Sequence, residues 1–124
     1  MNKTTLTVAT FLLACGFTLA QAPAGAHNFR GQIMDSMCAT MGGHAPAGYE
    51  ATHTHTPKDC TLACVKAGST FVLYNTRTKT TYKLDNQSEP RALAGENVVI
   101  HGTLDLATKT IHVEKISPAR RVRR

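Results

Sequence analysis

No tryptophan occurs in the 124 residues, and three tyrosines and four phenylalanines supply all the large aromatic rings. A groove that stacks successive bases of a nucleic-acid strand needs more such faces, and a positive channel along which to hold the backbone. Charge is also sparse, with 8 Asp and Glu against 14 Lys and Arg, a net of +6. Four of the basic residues, Arg120, Arg121, Arg123 and Arg124, stand together at the C-terminus. With these and Lys3 set aside, the body from His27 to Ala119 carries 9 basic against 8 acidic side chains, a net of +1. The basic character therefore belongs to a solvated tail over residues 120–124, and nucleic acid is excluded as a partner.

Catalytic signatures are lacking as well. The chain has no Ser, His and Asp set in a recognisable context, no glycine-rich phosphate loop and no paired carboxylates in a pocket-forming motif, so it reads as a non-enzyme. A membrane-spanning run is missing too, because the apolar stretch Leu6 to Ala14 is too short to cross a bilayer. With Lys3 before it and Ala24-Gly25-Ala26 after it, residues 1–26 read as an export leader cut before His27, which makes the protein periplasmic or secreted. Leu12-Leu13-Ala14-Cys15-Gly16 has the form of a lipobox, so a membrane enters only if Cys15 is lipidated. Soluble export is the stronger reading, because the apolar run before Cys15 is short and the chain continues to a good cleavage site.

The remainder, residues 27–119, is long enough for one small domain with a modest core. Phe29, Gly31 and Ile33 alternate with polar residues and predict a first strand from Asn28 to Asp35. Met41 to Thr54 is glycine-rich and aperiodic, hence loop. Thr56 as N-cap, Pro57 at the first helical position and Asp59 in the first turn predict a short helix from Pro57 to about Ala67, closed by Gly68. Two strand-like runs follow, Phe71 to Tyr74 and Thr80 to Leu84. A connector then holds one helical turn at Pro90 to Ala94, and a last hairpin joins Asn97 to Leu104 with Lys109 to Ile116. Five short strands in so small a domain predict a mainly β fold, either a five-stranded OB-like barrel or a curled antiparallel sheet. One short helix is inserted between strands 1 and 2.

Chemistry concentrates in one segment, residues 36–68. Cys38, His44, His53, His55, Cys60 and Cys64 fall there, with Met34, Met37 and Met41 beside them, among Gly, Ala, Thr and Pro that can build little core. Something besides burial must order this stretch. Cys60 and Cys64 are one helical turn apart, with Cβ atoms about 5–6 Å from each other, too far for a mutual disulfide but well placed to meet one ion. Cys38 and one of the histidines complete a set of three sulfurs and one nitrogen suited to zinc, and the neighbouring thioethers shift the choice toward copper. The alternative is a disulfide staple from Cys38 to Cys60 or Cys64, in a stapled structural or interaction domain that docks on an unknown protein partner. A third reading is a redox thiol at Cys60, near the helix N-terminus. His101 and His112 lie in the last hairpin and read as ordinary strand residues. His27, once exposed as a new N-terminus, offers an amine and an imidazole to one copper ion.

The segments Gly31-Gln32-Ile33-Met34-Asp35-Ser36-Met37-Cys38, Cys60-Thr61-Leu62-Ala63-Cys64-Val65-Lys66-Ala67-Gly68 and Gly95 to Leu104 carry a resemblance. The chain resembles a family of small exported bacterial proteins of unknown function that share Gly-x-Ile-x-Asp-Ser-x-Cys, Cys-Thr-x-x-Cys-Val-Lys-x-Gly and a closing Gly-x-x-Val-x-Val-x-Gly hairpin. The closing hairpin is also similar to that of periplasmic bacterial OB-fold proteins. The resemblance implies the architecture and the cysteine framework without implying an activity. This chain differs from the family pattern in its longer, histidine-richer loop and its arginine tail.

Overall fold

The computed structural model describes residues 25–44 and 56–120. Cys15, His53, His55, nearly all of the expected leader and residues 121–124 of the tail lie outside the described residues. Among the described residues no helix is long and apolar enough to cross a membrane.

Five strands, β1 (His27–Asp35), β2 (Phe71–Asn75), β3 (Thr80–Leu84), β4 (Asn97–Asp105) and β5 (Thr110–Pro118), form a closed ring in the order β1-β2-β3-β5-β4. Closure removes the free edges that a small sheet would otherwise expose. The fold is mainly β and OB-like, as expected, with the longest helix between β1 and β2. One feature corrects the purely antiparallel alternative: β3 and β5 run parallel, Lys83 pairing with Thr110 and Leu84 with Ile111. A parallel neighbour needs a long connection, and the 3-10 turn Glu89–Leu93 together with β4 provides it.

Period-two alternation decides what each strand buries. Ile33 of β1, Phe71 and Leu73 of β2, Leu84, Val98, Ile100 and Ile111 fill the barrel interior. Their neighbours Met34, Val72 and Tyr74 point the other way, yet they are buried too, in a second cluster with Cys38 and Ala39. β1 and β2 are thus covered on both faces, which explains why Phe71 to Tyr74 is an unbroken apolar run.

Two helices supply the cover. The first, α1 (Ser36–Thr40), was not expected; Asp35 caps it by accepting from the Cys38 amide at 2.9 Å. The second, α2 (Pro57–Lys66), starts where the sequence places it. Thr56 and Asp59 form a reciprocal capping box around Pro57, and Gly68 beyond its end takes φ +116°. Leu62 and Val65 of α2 pack against the barrel core.

Gly95 joins α2 to the barrel. Its amide donates to the Ile33 carbonyl at 2.8 Å, and its φ of +77° lies in the left-handed region. A Cβ there would stand 2.6 Å from the Lys58 nitrogen, so the first turn of α2 rests directly on this glycine. Gly68 also has a positive φ but open space around it. Gly95→Ala should therefore lower unfolding stability by about 2 kcal/mol or more and Gly68→Ala by about 1 kcal/mol, as read from urea unfolding of the two variants. Equal costs would show that contact with α2 adds nothing to backbone strain at Gly95.

Asp85 secures the parallel junction. Its carboxylate accepts from the Val113 amide at 2.9 Å and lies 3.1 Å from His112 Nδ1. The Val113 bond is the largest effect and lowers the Asp85 carboxyl below the usual carboxylate range; burial opposes it, and the His112 contact adds to the lowering. Because the folded form binds this proton more weakly than the unfolded chain, the stabilisation is complete above the ordinary carboxylate pKa of about 4 and is lost as pH falls through the lowered value. Asp85→Asn should destabilise the fold at neutral pH and flatten the acid limb of a stability-against-pH curve. An unchanged acid limb would remove Asp85 as its source.

Candidate metal centre

The end of β1 and the glycine turn after α1 build the site. Asp35 continues the inward phase of Ile33 at the end of β1 and is fully buried. Capping by Asp35 starts α1 and sets Cys38 in it, 2% exposed. The chain then reverses through Gly42 and Gly43, with φ +96° and +104°, conformations that favour glycine. The Gly43 amide donates to the Cys38 carbonyl at 2.9 Å and Tyr74 Oη donates to the Gly42 carbonyl at 3.1 Å. These bonds return His44 to the buried cluster, where its Nε2 lies 3.3 Å from Thr61 Oγ1 of α2.

From α2, Cys60 meets Cys38 with the two Sγ atoms 3.8 Å apart. Cys38, His44 and Cys60 each offer a donor atom within 4.8 Å of the others, and so do Asp35, Cys38 and Cys64. Cys38 belongs to both sets. Asp35 is the residue that sequence reasoning missed; an aspartate at a favoured N-cap position three residues before a cysteine was the available signal. Its Oδ1 is engaged by the Cys38 amide, whereas its Oδ2, fully buried, has no hydrogen-bond partner and lies 3.9 Å from His44 Nε2, beyond hydrogen-bond reach. A buried carboxylate oxygen left in that state is costly, and a cation beside it would relieve the cost.

Burial sets the protonation of the donors. It pushes the Cys38 thiol well above the usual range, and the hydrogen bond and negative charge of Asp35 add to the effect, followed by Cys60. Cys64 is raised by burial first, then by Asp35 and Cys60. Burial lowers the His44 pKa, outweighing the upward pull of Asp35, so the ring is held neutral at ordinary pH. Neutral imidazole is the form that binds metal. All three thiols of the described residues, Cys38, Cys60 and Cys64, are free, so the alternative staple is not formed. The Cys38–Cys60 separation of 3.8 Å is far longer than the disulfide bond length of about 2.05 Å.

Of the six residues that the sequence singled out, the structure brings Cys38, His44, Cys60 and Cys64 together. His53 and His55 lie outside the described residues. His101 and His112 stay on the barrel surface, near Asn28 and Glu114 and near Asp85 respectively. His27 heads β1, opposite Gly102. Eight strand steps separate it from Asp35, roughly 26 Å at about 3.3 Å per step, so its imidazole takes no part in this cluster.

Comparison with known families gives a match over residues 65–119 to one described as "Protein of unknown function (DUF5818)". The match covers less than half of the 124-residue chain: the end of α2, β2 to β5, and none of the clustered donor residues. Neither the curated proteins nor the solved structures contain a match to this chain.

The three thiols differ in access, and their reactivity should follow. In reduced, metal-free protein, timed alkylation with peptide mapping should label Cys60 and Cys64 well before the buried, weakly acidic Cys38. Labelling of Cys38 first would contradict the position of α1.

Proposed function

We propose that this chain is an exported binding module, not an enzyme, that holds a zinc or copper ion. Cys38, Cys60, His44 and Cys64 are the donors, with the Asp35 carboxylate beside them. The observation that carries this reading is the Cys38 to Cys60 separation of 3.8 Å. Two thiolates bound tetrahedrally at about 2.3 Å from one ion stand about 3.8 Å apart. Sulfurs at that distance with a neutral imidazole near both form a cradle for a soft or borderline ion. Bound there, the ion would link α1, the glycine turn and α2.

Sulfurs in contact also favour a second reading, a Cys38–Cys60 staple formed on oxidation. Native mass spectrometry of protein recovered from the periplasm, followed by denaturation and thiol alkylation, separates the two. The expected result is a native mass heavier by one zinc or copper ion, with Cys38, Cys60 and Cys64 all alkylated. A metal-free mass with Cys64 alone alkylated would overturn the metal reading in favour of the staple.

A further inference from the structure

Large apolar side chains are rarely left in water on this domain. Among the described residues Met37, Met41 and Leu106 are the exposed ones, and two of these three lie beside Cys38, Met37 within α1 and Met41 at its C-cap. Met37 and Met41 are each 58% exposed, whereas Cys38 between them is 2% exposed. A methionine offers what a polar residue does not, a neutral thioether that binds soft cations without losing a proton.

Helical geometry continues through this stretch. The Met41 amide donates to the Met37 carbonyl at 3.2 Å and to the Cys38 carbonyl at 3.1 Å. Met37 and Met41 are therefore i and i+4 neighbours, and Cys38 and Met41 are i and i+3 neighbours, with Cβ separations of about 5–6 Å in each pair. By that spacing exposed Met37 neighbours exposed Met41, and Met41 neighbours buried Cys38. Met34, fully buried in the same cluster as Cys38 and Cys60, extends the sulfur-rich surroundings inward.

We infer that Met37 and Met41 form an outer thioether station that takes up copper(I) and passes it along α1 to Cys38. The inference rests on the metal-site reading above and identifies its cargo as copper(I). The ion stays copper(I) throughout. One thioether sulfur–copper bond is exchanged for a thiolate–copper bond, and the Cys38 thiol proton leaves to solvent. Zinc, a harder ion with little affinity for thioethers, gains nothing from the station. The two metals should therefore respond differently to loss of the methionines.

The test compares wild type with Met37→Leu/Met41→Leu, a change that keeps size and helix propensity at two exposed positions. Reduced, metal-free protein under anaerobic conditions is mixed with copper(I) held by a coloured phenanthroline-type chelator and, separately, with zinc held by a coloured zinc chelator. Stopped-flow absorbance gives both uptake rates, and equilibrium competition gives both affinities. The expected result is copper(I) uptake slowed roughly tenfold in the double variant, with zinc uptake and both final affinities unchanged. Equal copper(I) rates would overturn the station while leaving the metal site standing. A copper(I) affinity that falls in step with the rate would overturn it too, by making the methionines ligands of the final site. Failure of wild type to take either metal would refute the metal site and the station together.

Discussion

The rest of the structure depends on the double burial of β1 and β2. A five-stranded ring needs one apolar face per strand, but Met34, Val72 and Tyr74 make the outer face of these two strands apolar as well. Left in water, that face would offer a sticky patch. Its cover is not a second sheet or a long amphipathic helix. It is a five-residue helix and a glycine turn, backed by the cysteine edge of α2. Packing this small cannot bury much area, so the cover is the part of the domain with the most to gain from an added link.

Stability and chemistry meet at Asp35. It ends β1, starts α1 and supplies negative charge to the donor cluster. Without metal, the high Cys38 and Cys64 pKa values and the lowered His44 pKa keep these donors uncharged, which limits the charge placed in a dry site. A cation would reverse that preference. Bound there, it would replace thiol protons, and its affinity would rise with pH because each proton released favours binding. The same burial that quiets the thiols would therefore make metal binding proton-linked.

Much of this was legible in the residues. Thr56, Pro57, Asp59 and Gly68 mark α2 because caps and left-handed closures are local devices, written in a few neighbouring side chains. The strict alternation of Ile111 and Val113 marks β5 for the same reason. The parallel junction of β3 with β5 was not legible, since pairing across a long connection leaves no local mark. Nor was α1, whose five residues are too few to show a period; the capping aspartate was its one sign. At the site, the sequence showed which residue types were available, and Cys38, His44, Cys60 and Cys64 do converge. Asp35 offered a local sign only as an N-cap three residues before Cys38; its burial against the donors comes from its surroundings and not from its neighbours in the chain.

The ring has one more consequence, which concerns time. Asn28 in β1 touches His101 in β4 across 73 residues of chain, so the barrel cannot close until its C-terminal strands have arrived. A chain that emerges N-terminus first presents Cys38, then Cys60 and Cys64, before it has any interior in which to hide them. During that interval the thiols have ordinary aqueous acidity and full access to oxidants, metals and one another. Burial of Cys38 in the closed fold then ends that access, so the chemistry open to the three sulfurs narrows as the chain closes.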